Sequence, residues 1–107
     1  MTPAASQTME AVARRLRMLR MVLNGNQAEV ARTLQISTDA WNKYETGTNR
    51  LPIHVLADFV SVYGTGADWI LAGKLMSLDK AVIARLVKAF PNDPYVVAGL
   101  AAPPERK

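Results

Sequence analysis

The sequence of 107 residues contains no cysteine and only one histidine, His54. The absence of cysteine excludes disulfides, thiolate zinc sites and catalysis by a thiol. One histidine leaves too few ligands for a histidine-based metal site, and a Ser-His-Asp triad would depend on it alone. We interpret His54 as a surface residue of a helix. The sequence therefore predicts no catalytic residue, no metal site and no cofactor, and we do not expect an enzyme.

Long hydrophobic runs are also missing. No apolar run approaches the roughly 20 residues that a membrane-spanning helix needs. The first residues, M-T-P-A-A-S-Q-T, lack the positive charge and the apolar stretch of a signal peptide. Half of all residues are hydrophobic, which suffices for the core of one helical domain. We therefore predict one cytoplasmic domain that does not bind a membrane.

Acidic residues are outnumbered, and the basic excess is unevenly placed. Thirteen lysines and arginines stand against nine aspartates and glutamates. Residues 1–50 hold seven of the basic and four of the acidic residues, whereas residues 51–107 hold six and five. A basic first half is typical of a surface that faces phosphates, but an excess this small does not decide the function.

The apolar spacing predicts a first helix over Met9–Leu23, preceded by a disordered segment at residues 1–8. We expect Asn24-Gly25 to end this helix, because both residues tolerate the left-handed conformation. Asn26 is then the predicted cap of helix 2. Glu29, three residues later, completes a pair that resembles a capping box.

A third helix follows after a tight turn. Ser37 is its predicted cap, the helix runs to about Glu45, and Gly47 stops it. Trp41 and Tyr44 are expected to face the core. The polar residues expected on the outer face are Thr38, Asp39, Asn42 and Lys43. A short helix presented by a second one fits the major groove of DNA.

Two more helices complete the predicted all-α domain over residues 9–73. Pro52 suits the first turn of helix 4. Thr65 and Asp68 are the predicted caps of helix 5, and Gly73 is its predicted end. The expected apolar side of helix 4 consists of Ile53, Leu56, Phe59, Val60 and Tyr63.

Residues 74–107 add a sixth, amphipathic helix from Ser77, its predicted cap, to Phe90. The later segment Y-V-V-A-G-L is expected to form a short turn or a strand. The apolar stripe of helix 6 consists of Leu78, Val82, Ile83, Leu86, Val87 and Phe90. This stripe either packs on helix 5 or pairs with a second copy of the chain. We favour a homodimer, with an interface made by Leu78, Val82, Leu86 and Phe90.

Five motifs in sequence order resemble the lambda-repressor/Cro type of helix-turn-helix, the Xre family. They are R-L-R-M-L-R, N-Q-A-E-V-A, Y-E-T-G, R-L-P-I-H-V-L-A and Y-G-T-G-A-D-W-I-L-A-G, and together they cover about residues 14–73. The resemblance implies a five-helix domain whose third helix enters the major groove.

The resemblance also implies roles for matching positions. Gln27 corresponds to a glutamine that binds a DNA phosphate and braces the recognition helix. Arg20 and Glu45 match an ion pair between helix 1 and the end of helix 3. The remaining implied DNA contacts are Ser37, Thr38, Asp39, Asn42, Lys43, Thr48, Asn49 and Arg50.

Two features depart from the family pattern. Leu51 and Ile53 stand where some relatives carry a basic residue. Asp39 stands where a glutamine is more usual, and its carboxylate would either accept from a cytosine amino group or oppose the phosphates.

Two functions remain open from the sequence. The favoured hypothesis is a sequence-specific regulator of transcription, a repressor rather than an activator, which binds a palindromic double-stranded operator as a homodimer. The alternative is a protein-interaction module, such as an antitoxin or a phage-type accessory factor, which binds a partner protein through the C-terminal helix.

Overall fold

The computed structural model describes residues 8–101, which form seven α-helices and one 3₁₀ turn but no strand. This confirms the predicted all-α class. The helices are α1 (Met9–Leu23), α2 (Gln27–Thr33), α3 (Thr38–Thr46), α4 (Ile53–Tyr63), α5 (Asp68–Ala72), α6 (Lys80–Ala89) and α7 (Pro94–Ala101). The 3₁₀ turn, Leu75–Ser77, lies between α5 and α6.

Helix α1 has the predicted bounds, but both of its ends differ from the prediction. The Thr8 hydroxyl accepts from the Ala11 N–H at 3.0 Å and caps the helix. The rest of the predicted disordered segment lies outside the described residues. At the other end, Asn24 is extended (φ −157°, ψ 114°) rather than left-handed. Its side chain explains this, because it accepts from the Asn26 N–H and donates to Glu29, which directs the chain into α2.

The N-cap residues of α2 and α3 are the predicted ones, but Glu29 does not complete a capping box, because the Asn26 N–H donates to Asn24 Oδ1 instead. The Asn26 side chain accepts from the Glu29 N–H, and the Ser37 hydroxyl accepts from the Ala40 N–H, both at 3.0 Å. The turn between these helices requires Gln35 in the left-handed region (φ 61°). Gly47 (φ 77°) ends α3 as predicted, since glycine has no Cβ to oppose this conformation.

Three details of α4 and α5 differ from the prediction. Pro52 is the N-cap of α4 rather than a residue of its first turn. Ile53, predicted on the apolar side of α4, is 75% exposed, whereas Val55 is buried. Helix α5 begins at Asp68 after Ala67 and has no side-chain cap, so the predicted caps of this helix were wrong.

The C-terminal region departs most from the prediction. Helix α6 starts at Lys80 with Asp79 as its cap, because the segment around Ser77 forms the 3₁₀ turn instead. The segment predicted as a turn or strand is helix α7. The Asp93 carboxylate accepts from the Tyr95 N–H at 2.9 Å and so satisfies one free N–H group at the start of this helix.

The core forms around α1. Both tryptophans are fully buried, as predicted, and Trp41 stacks on Phe59 with ring centroids 5.5 Å apart. The Trp69 indole N–H donates to the Arg15 carbonyl at 3.2 Å. Arg15 itself is a buried core residue. Besides the predicted apolar stripe of α1 (Val12, Leu16, Leu19 and Leu23), this helix has a second row of buried residues at helical spacing, to which Arg15 belongs: Ala11, Arg15, Met18 and Val22.

Helix α7 is attached to α1 through two arginines. Arg14 and Asp93 form an ion pair of 2.7 Å. The Arg15 guanidinium lies 5.5 Å from the centre of the Tyr95 ring and donates to the Ile70 carbonyl at 3.0 Å. Burial lowers the pKa of Arg15, and the nearby Tyr95 partly offsets this shift. The C-terminal helix is therefore part of the same packed unit as α1 and α5.

Close packing of α7 on the 3₁₀ turn depends on Gly99. A Cβ atom added there would lie 2.6 Å from the Leu75 Cβ. We therefore expect Gly99→Ala to destabilise the protein by about 1–3 kcal/mol, because α7 must move away from the turn. Urea unfolding of the full chain measures this loss. The control is Ala98→Ser on the exposed side of α7, which should cost less than about 0.7 kcal/mol. Equal stabilities of the two variants would contradict this account of the packing.

Candidate nucleic-acid interface

The buried Glu45 carboxylate joins the first three helices. One of its oxygens accepts from Arg20 Nη2 at 2.9 Å and from Gln27 Nε2 at 3.0 Å. The other accepts from Arg20 Nε at 2.8 Å and from the Trp41 indole N–H at 2.6 Å. The ion pair that the resemblance implied is therefore present. A buried carboxylate with four donors is well compensated for its lost hydration, so the site is rigid.

Gln27 holds α3 in place. Its Nε2 group donates to Glu45 and also to Asn42 Oδ1 at 3.2 Å. These two bonds supply the bracing that the resemblance implied. Because they occupy both hydrogens of the amide, a phosphate would meet the main-chain N–H of Gln27 at the start of α2. Its phosphate contact stays a prediction.

The outer face of α3 carries the residues expected to meet base edges. Thr38, Asp39 and Asn42 are exposed, and Lys43 is partly exposed. Lys43 Nζ lies 3.2 Å from Asp39 Oδ2, one helical turn away. Ser37 is exposed, with its hydroxyl engaged as the cap. The structure thus brings these residues together on one surface.

The loop after α3 carries the other predicted contacts. Thr48, Asn49 and Arg50 are all exposed. The Thr48 hydroxyl lies 2.8 Å from the Thr46 hydroxyl, and the Asn49 N–H donates to the Lys43 carbonyl at 3.1 Å. These bonds attach the loop to the end of α3.

Several basic residues of the first half do not belong to this surface. Arg15 and Arg20 are buried, and Arg14 is held by Asp93. Arg17 and Arg32 are exposed.

Sequence charge alone could not separate structural from exposed arginines. The position of Arg15 in the second buried row of α1 was the signal that could have identified it.

The structure places the predicted dimer residues against the core of their own chain. Leu78 and Leu86 are buried, and Val82 and Phe90 are half-buried and pack on the core. This favours packing within the monomer, although α6 lies mainly against α1 and not against helix 5 as the alternative expected. The large apolar side chains that stay exposed in this region are Met76, Val97 and Leu100, at 67%, 48% and 49%.

No group of acidic or histidine residues in the described part of the chain could hold a metal ion. None of the helices between residues 8 and 101 combines the length and apolar character needed to cross a membrane.

Two helices joined by a tight turn, with the second braced by the first and polar on its outer face, define a helix-turn-helix. A family model described as a helix-turn-helix domain matches residues 11–70, which is 60 of the 107 residues. The chain therefore belongs to the helix-turn-helix family. Neither the curated proteins nor the solved structures gave a match. Membership of this family indicates a DNA-binding regulator, and such domains are typically non-enzymatic.

The Glu45 network generates a prediction for stability. Glu45→Gln keeps the shape of the side chain but leaves the buried Arg20 without its counter-ion. We expect a loss of about 3–5 kcal/mol in the free energy of unfolding, measured by urea denaturation. The matched control is Glu29→Gln, an exposed carboxylate whose loss should cost less than about 1 kcal/mol. A small and similar cost for both variants would show that Glu45 does not hold the helices together.

Proposed function

We propose that the protein is a sequence-specific, double-stranded-DNA-binding repressor of the lambda-repressor/Cro type that inserts α3 into the major groove. One observation carries the proposal. The inner side of α3 is held by Arg20 and Gln27 through Glu45, while its outer face presents polar side chains to solvent. A rigid helix with a free polar face is suited to contact base edges.

The side chains of α3 favour particular bases. The oxygen of the Asn42 amide accepts from Gln27, so its NH₂ group is left to donate to purine or thymine acceptors. Lys43 suits the O6 and N7 acceptors of guanine, and Asp39 suits the amino group of cytosine. Because these two residues pair in the free protein, contact with a G·C base pair would exchange one ion pair for two base contacts.

In this proposal, the loop after α3 contacts the DNA phosphates. Asn49 and Arg50 are exposed there, and the first turn of α4, which follows, contains no acidic residue and no side-chain cap. The free N–H groups at a helix start attract a phosphate. Bound at a promoter, the protein would repress by blocking the polymerase, a mechanism that rests on analogy with the family.

Selection of bound sequences from a random duplex pool at two salt concentrations tests this proposal. We expect a motif that persists at the higher salt. Asn42→Ala and Lys43→Ala should each weaken binding to it by about 1–3 kcal/mol and relax one position of the motif. The control is Lys88→Ala, which removes an exposed lysine of α6. Recovery of no motif, or equal effects of all three variants, would overturn the role of α3.

We also propose that the repressor binds as a homodimer, through the exposed apolar residues of the C-terminal region instead of the α6 stripe. Val97 and Leu100 lie on α7, and Met76 lies in the turn against which α7 packs. Exposed apolar residues of this size are typical of protein-binding surfaces. A dimer would bind an inverted repeat with half-site centres about 34 Å apart. The same residues support the second candidate function, binding of a partner protein.

Sedimentation of the purified chain separates these possibilities. A homodimer should sediment with twice the monomer mass of 11.7 kDa, and Leu100→Asp should shift it to monomer, because a charge placed in an apolar interface is poorly hydrated. The matched control is Met21→Asp, which changes a similarly exposed apolar residue on α1. A monomeric wild-type chain would contradict the homodimer and leave the partner protein as the candidate for this surface.

A further inference from the structure

A pocket of about 140 Å³ lies where the loop after α3 crosses the start of α1 and approaches α5. We name it the α1–loop pocket. It is lined by Met9, Val12, Ala13, Tyr44, Asn49, Arg50, Leu51 and Leu71. None of these residues belongs to the base-contacting face of α3, but two of them belong to the loop that is proposed to contact phosphates.

The size and lining of the pocket limit what can bind there. Its volume is close to that of an engineered apolar cavity of about 150 Å³ that binds benzene. Five of its lining residues are aliphatic or Met, one is the aromatic Tyr44, and none is acidic. The pocket therefore fits a single ring or a short branched chain.

The polar side of the pocket indicates the charge of the ligand. Tyr44, Asn49 and Arg50 all carry hydrogen-bond donors. Within residues 8–101, no side-chain hydrogen bond or ion pair engages any of the three. Arg50 is the only charged residue among the lining residues. An anionic group at the rim would gain a charge-assisted bond that a neutral group cannot make.

We propose that the α1–loop pocket binds a small carboxylate with an aromatic or branched aliphatic body, and that this ligand lowers DNA affinity. The body occupies the apolar part of the pocket, and the carboxylate pairs with Arg50. The regulatory half of the proposal rests on the proposed function, because ligand and DNA phosphate then compete for the same guanidinium. The ligand-binding half is independent of it.

The attachment of the loop to α3 explains how a ligand in the α1–loop pocket would affect the proposed DNA-contacting surface of the protein. Gly47, in its left-handed conformation, lies against α1, since an added Cβ would meet the Ala13 Cβ at 3.6 Å. The loop is also bonded to the end of α3 through the Asn49 N–H and the Lys43 carbonyl. A ligand between α1 and Leu51 therefore acts on a segment tied to the recognition helix. By linkage, bound DNA must weaken the ligand by the same factor.

The first experiment titrates benzoate into the full chain without DNA and follows ¹H–¹⁵N NMR shifts. Benzamide, of the same shape but uncharged, is the control ligand. We expect saturable shifts confined to residues around the pocket, with a dissociation constant on the order of 1 mM. Benzamide should bind at least about tenfold more weakly.

Two variants assign the binding to the pocket. Arg50→Gln should reduce benzoate affinity to that of benzamide, and Leu71→Gln, at an exposed lining position, should weaken both ligands. Arg85→Gln, which removes an exposed arginine from α6, is the matched control and should leave benzoate binding unchanged. Three results would overturn the proposed ligand site. They are the absence of saturable shifts, equal binding of the two ligands, and equal effects of Arg50→Gln and Arg85→Gln.

The second experiment measures affinity for the selected DNA site with benzoate, benzamide or sodium chloride at equal concentration. At about nine times its dissociation constant, benzoate should raise the DNA dissociation constant about tenfold. Benzoate binding without this effect would overturn the regulatory half alone. Recovery of no DNA motif would instead overturn the proposed function, and the titration without DNA would still decide the ligand site.

Discussion

The position of α3 depends on one buried carboxylate, that of Glu45. It accepts four hydrogen bonds from side chains of three helices, and two of these bonds come from the Nε and Nη2 groups of Arg20. Neither charge can be removed alone without leaving the other unpaired in the core. The orientation of α3 relative to α1 and α2 is therefore set by an interaction with a strict geometry, and the polar outer face of α3 is positioned as a consequence.

Helix α1 connects this network to the rest of the molecule. Arg20 pairs with Glu45 of α3, and Arg14 pairs with Asp93 at the start of α7. Arg15 donates to a carbonyl of α5. A single helix thus uses three arginines for internal contacts. The net positive charge of the chain consequently overstates the charge available to phosphates. Of the basic residues, the proposal assigns Arg50 to the phosphates and Lys43 to the bases.

The C-terminal region is more than an appendage to the helix-turn-helix. Leu78 and Leu86 enter the common core, and Gly99 allows α7 to pack tightly on the 3₁₀ turn. The apolar side chains left outside belong to the turn and to α7. Any partner, whether a second copy or another protein, would therefore meet a surface different from the α6 stripe that the sequence pattern suggested.

Local sequence determined the features that depend on residues three or four apart. The bounds of α1, the Asn26 and Ser37 caps and the glycine ends of α3 and α5 could all be predicted, because these bonds form within one helical turn. The family motifs added the Arg20–Glu45 pair. Only the tertiary structure decided which arginines are buried, that Asp93 both caps α7 and binds Arg14, and that Ile53 is exposed. Arg14 and Asp93 are 79 residues apart, and contacts at such separations depend on how the whole chain packs.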